Sequence, residues 1–78
     1  MITRVKFGSL NKFIQAQRIC QSMNCDVGVH FDNGVIADIR TFMEPISMDV
    51  CSKSVNIVSE NEEYHKKLRE IEGIDIIE

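Results

Sequence analysis

The 78-residue sequence has no tryptophan, one proline, four glycines and an aromatic share of 6%. So little Pro and Gly excludes a collagen-like chain and a Pro/Gly-rich disordered one. There are only two histidines and three cysteines to hold a metal such as zinc, and Cys20, Cys25 and Cys51 form no CxxC or other paired-ligand spacing. No metal or cofactor is therefore expected. No apolar run approaches the roughly 18 residues that suggest a membrane span. The opening MITRVKFGSLNKF has no long apolar core of the kind a secretion signal carries. A cytoplasmic chain with reduced thiols and no membrane partner is the expectation. Positive charge is not in excess either: 9 Lys+Arg stand against 12 Asp+Glu, for a net charge of -3. That argues against nucleic acid as a partner.

What is present fits one small globular domain, residues 1–78, with 44% hydrophobic and 27% charged residues. The charge is unevenly distributed. Before Asp26 there are four basic residues, Arg4, Lys6, Lys12 and Arg18, and no acidic one. Such a segment is either an ordinary solvated surface or one face suited to an acidic partner.

Residues Ile2 to Phe7 alternate in the period of a half-buried strand, which Gly8 breaks. From Ser9, a natural N-cap, the spacing turns helical, with Phe13, Ala16, Ile19, Cys20 and Met23 on one stripe. Asp26 to Phe31 and Val35 to Ile39 read as a hairpin about Asp32-Asn33-Gly34, with Val27, Val29 and Phe31 inward and His30 outward. Thr41 and Glu44 have the form of a capping box for a short helix, which Pro45 distorts. Ser54 to Val58 reads as a fourth strand. Ser59 and Glu62 read as a second capping box, before a helix carrying Tyr64, Leu68 and Ile71 inward and ended by Gly73. The order βαββαβα predicts an α+β open-faced two-layer sandwich, with a four-stranded antiparallel sheet covered on one face by helices.

The stretch Asp38-Ile39-Arg40-Thr41-Phe42-Met43-Glu44-Pro45-Ile46-Ser47-Met48 resembles the D/N-A-K-S-I-M-G-V-M-S-L run of the HPr phosphocarrier family of the phosphoenolpyruvate-dependent sugar phosphotransferase system. Asp38, Met43 and Ser47 match as they stand, and five further positions are close replacements. The likeness implies the HPr-like sandwich already derived and a non-enzymatic protein. Its G-x-H-A-R-P signature, which in the family carries the phosphohistidine, does not remain: Ser9 falls at the histidine position, Asn11 at the arginine and Lys12 at the proline. Ser9, Asn11 and Lys12 are thus a residual helix N-terminal anion site. His30, mid-strand, and His65, mid-helix, read as polar surface.

In many members of the family the serine of A-K-S-I-M is phosphorylated by HPr kinase, and the apolar residues after it dock enzyme I. Thr41 holds that place, either as an ordinary N-cap or as a regulatory phospho-acceptor. Phe42, Met43 and Ile46 divide between core and partner patch, and with Lys12 and Arg18 they make the candidate partner surface. The resemblance implies a regulatory or interaction module, with enzyme I-like or HPr kinase-like protein partners; the sequence leaves the oligomeric state open, with a monomer favoured. The alternative is a working phosphocarrier or kinase substrate that accepts phosphate at Thr41.

Overall fold

The computed structural model describes residues 1–41 and 53–77. Strand β1 spans Ile2–Lys6, helix α1 Leu10–Met23, β2 Gly28–His30, β3 Ile36–Asp38, β4 Val55–Val58, helix α2 Glu62–Arg69 and β5 Asp75–Ile76. A 3-10 turn, Ile39–Thr41, follows β3 directly. The expected short helix beyond Thr41, with Pro45, and Cys51 lie outside the described residues.

Among the described residues all strand pairings are antiparallel, in the order β3-β2-β4-β1-β5. The sequence reading placed four strands; the fifth is the tail. Ile76 pairs with Val5 and Asp75 with Lys6, and the Ile77 amide donates to the Arg4 carbonyl at 2.8 Å. Ile74 and Ile76 then rest against the core, because alternation along β5 turns Ile76 to the same side as Val5.

That side is the buried one. Thr3, Val5 and Phe7 on or beside β1, Val27 and Val29 around β2, and Val55, Ile57 and Ser59 around β4 are buried in strict alternation. From α1 the stripe Phe13, Ala16 and Cys20 meets them, with Ile19 and Met23 partly buried at its margin; α2 adds Tyr64 and Leu68. The Tyr64 hydroxyl donates to the Ala16 carbonyl at 3.0 Å, joining the two helices. Its burial pushes the phenol pKa above the ordinary range.

Local signals set most of the boundaries. Ser9 caps α1, its hydroxyl accepting the Lys12 amide. At the other end Asn24 takes left-handed angles (φ 53, ψ 45); its amide bonds to Gln21 O and the Cys25 amide to Cys20 O, the double closure of a Schellman motif. In the hairpin, Gly34 has φ 92, which a side chain would strain, and its amide reaches the Phe31 carbonyl. The cap of α2 differs from expectation. It is Asn61, whose side chain accepts the Tyr64 amide at 3.1 Å. Ser59 is still engaged in the sheet, its amide donating to the Met1 carbonyl, while its hydroxyl accepts the Asn61 amide. A residue finishing a ladder cannot also start the helix two positions later.

Candidate functional site

The residues the sequence singled out sit in three places. At the N-terminus of α1, Ser9 is used as the cap, and the Lys12 ammonium donates to the Gly73 carbonyl at 3.0 Å. Asn11 is exposed beside them. The residual anion site is therefore partly spent on structure. Arg18 is exposed further along α1.

The four early basic residues do not make one face. Arg4 and Lys6 alternate to the open side of β1, opposite the buried Thr3 and Val5, whereas Lys12 and Arg18 belong to the helical layer. Arg4 is moreover paired with Asp32, at 2.8 and 3.1 Å, and donates to Asn56 at 3.3 Å. That pair is largely solvent-exposed, so it contributes little stability.

Thr41 is exposed at the end of the 3-10 turn, and its hydroxyl donates to the Asp38 carbonyl at 3.2 Å. The turn is pinned from two sides. The Asp38 carboxylate accepts the Arg40 amide at 2.8 Å and its guanidinium at 3.2–3.3 Å, while Arg40 also reaches Asp26 at 2.7 Å. On the other side Gln17 of α1 donates to the Ile39 carbonyl at 2.8 Å. The partner-surface residues Phe42, Met43 and Ile46 lie outside the described residues.

The Arg40 guanidinium and amide hold the Asp38 carboxyl below its ordinary range. A carboxylate with a depressed folded pKa gives stability that is fully present above its unfolded value, about 3.9, and lost as pH falls through the lower folded value. Asp38→Asn is accordingly expected to flatten the dependence of the urea midpoint on pH between about 5 and 2. Asp32, lowered by Arg4 in the same way, supplies part of the slope that remains. Equal slopes in variant and wild type would show that Asp38 is not paired in the folded state.

His65 is the largest departure from the sequence reading. It is 2% exposed rather than on the surface. Its Nε2 donates to the Ser59 carbonyl at 2.8 Å, which requires a hydrogen there, so in the neutral ring Nδ1 accepts the Thr3 hydroxyl at 2.7 Å. The imidazole thus fastens α2 to β1 and the end of β4. The spacing Asn61, His65, Leu68 is itself an i, i+4, i+7 stripe, and Thr3 occupies an inward strand position; together they are the signal that was available.

His30 does lie on the open face. Register places Ile36, His30, Asn56 and Arg4 in one row across β3, β2, β4 and β1. Its imidazole covers Gly28, where an added methyl would come 3.2 Å from Nε2. A shallow groove of about 680 Å³ runs beside it, lined by Gly28, Ile36, Asp38, Val58 and Glu60. Among the described residues no group of three or more His, Cys, Asp or Glu side chains could hold a metal ion, and no helix is long and apolar enough to cross a membrane.

No family model, curated protein or solved structure matches the chain.

Proposed function

We propose that the chain is an HPr-like protein-interaction module, a cytoplasmic regulatory relative of the sugar phosphotransferase carrier with neither phosphohistidine chemistry nor enzymatic activity of its own. The observation that carries this reading is the 2.8 Å bond from Gln17 to the Ile39 carbonyl. It sets α1, with Arg18 exposed next in sequence, against the turn that ends on Thr41 and leads into Phe42, Met43 and Ile46. A basic helix beside the turn after which an apolar sequence follows suits an acidic, groove-bearing partner of the enzyme I or HPr kinase kind. The α+β order and the antiparallel sheet with helices on one face support the HPr-like assignment.

A carrier needs an accessible imidazole beside a helix N-terminus, where backbone amides receive the phosphate. Ser9 occupies that place, His65 is buried with both ring nitrogens engaged, and His30 is on the face of the sheet away from the helices. Phosphorylation by a kinase at Thr41 is the second reading, favoured by the exposure of that residue. The phosphate would sit beside Asp38, whose arginine partner is already shared with Asp26.

The test is a titration of isotopically labelled protein with enzyme I. Amide signals of the exposed side of α1 and of residues 41–46 should move, and Arg18→Glu should weaken binding about tenfold, roughly 1.4 kcal/mol. Signal changes confined to His30, Ile36 and Val58 would move the interface to the open sheet face and end this proposal. So would an affinity that Arg18→Glu leaves unchanged.

A further inference from the structure

We propose that Cys20 and Cys25 form an oxidisable dithiol, at which a hydroperoxide converts the two thiols into one intramolecular disulfide across the C-terminus of α1. The inference is independent of the interaction reading above. It rests on the helix cap. In a Schellman motif the residue two beyond the end of the helix returns to the last turn, and the two side chains that meet there are usually apolar. Here they are Cys25 and Cys20: the Cys25 amide bonds to the Cys20 carbonyl, and the Cys20 thiol donates to the Cys25 carbonyl at 3.0 Å. Both thiols are free. Oxidation then calls for a side-chain rotation that turns the Cys20 sulfur from the Cys25 carbonyl to the Cys25 sulfur.

Exposure assigns the roles. Cys25 is half-buried and Cys20 fully buried. Burial first, and then the neighbouring Cys25, push the Cys20 thiol well above its ordinary pKa, so Cys20 stays protonated and is not the first nucleophile. Cys25 attacks the peroxide: a sulfur–oxygen bond forms, the oxygen–oxygen bond breaks, and the proton given up by the Cys25 thiol leaves with the departing oxygen as an alcohol or water. The Cys20 sulfur then attacks the sulfenic sulfur. The sulfur–sulfur bond forms, the sulfur–oxygen bond breaks, and water departs with the Cys20 proton. Two thiols and one hydroperoxide give one disulfide, one alcohol and one water. The disulfide removes the Cys20 bond to the Cys25 carbonyl at a position that feels the charges of Arg40 and Asp38.

The sequence offers a clean assay, because no Lys or Arg lies between Arg18 and Arg40. Both thiols therefore fall on the tryptic peptide 19–40, and Cys51 on another. The folded full-length chain is treated with hydrogen peroxide, alkylated in denaturant, digested and weighed. Peptide 19–40 should be lighter by two hydrogen atoms and carry no alkyl group, dithiothreitol should restore both alkylation sites, and Cys25→Ser should abolish the loss. Three results would overturn the proposal: oxygen added at Cys25 with no loss of hydrogen, a crosslink from this peptide to the one bearing Cys51, or full alkylation of both thiols after peroxide.

Discussion

Replacing His65 with alanine is expected to destabilise the domain by about 2–5 kcal/mol, combining the loss of a buried ring with two broken hydrogen bonds. A chain of this length has on the order of 4–12 kcal/mol in total, so the variant should be close to unfolding at ambient temperature. Helix propensity does not explain such a loss, because alanine is the better helix former. The cost comes from the surroundings: the Thr3 hydroxyl and the Ser59 carbonyl are both buried and both lose their partner. A cycle with Thr3→Val separates the bond from the packing. Thr3→Val alone should cost about 1–3 kcal/mol, since it leaves Nδ1 without a donor. In the His65→Ala background it should cost much less. Denaturant midpoints read all four proteins. If His65→Ala stays within about 0.5 kcal/mol of wild type, as an ordinary surface change does, the ring is not buried.

Phe13→Ala should cost about 3–5 kcal/mol, the usual range for truncating a buried phenylalanine. The Phe13 ring is 2% exposed and stands edge-on to Phe7, with centroids 5.3 Å apart and planes at 85°. Phe7 ends the inward row of β1, and Gly8 and Ser9 alone separate it from α1. The pair therefore fixes how the helix leaves the strand and settles on the sheet. Phe7→Ala combined with Phe13→Ala should fall short of the sum of the single effects by about 0.5–1.5 kcal/mol, the coupling typical of an edge-to-face pair. A loss below about 1 kcal/mol for Phe13→Ala would detach α1 from the sheet and with it the layered arrangement.

What the sequence could tell depended on how local each determinant is. Ser9 as a cap, the Asp32-Asn33-Gly34 turn and the inward alternation of Val27, Val29, Val55 and Ile57 are each decided by residues a few positions apart, and each stands in the structure. The fifth strand was not legible. Ile74-Asp75-Ile76 alternates, but only the free edge of β1 decides that it becomes a strand. The burial of His65 depends on Thr3, 62 residues away; the stripe it shares with Asn61 and Leu68 hints at an inward position but does not name that partner. Ser59 lost the cap to Asn61 because the ladder with Met1 runs one residue further than the apolar pattern indicates. For the candidate site, the sequence located Thr41, Lys12 and Arg18, but not the bonds that engage the first two, nor the Asp26–Arg40–Asp38 cluster that holds the turn. Charges spread over three elements show no spacing along the chain.

The most direct test of the central claim is the intact mass of the purified protein after incubation with phosphoenolpyruvate and enzyme I. A chain with one imidazole buried and bonded at both nitrogens, and the other on the open face of the sheet, should take up no acid-labile phosphate. Acid-labile phosphate on either histidine would contradict the account and make the protein a working phosphocarrier.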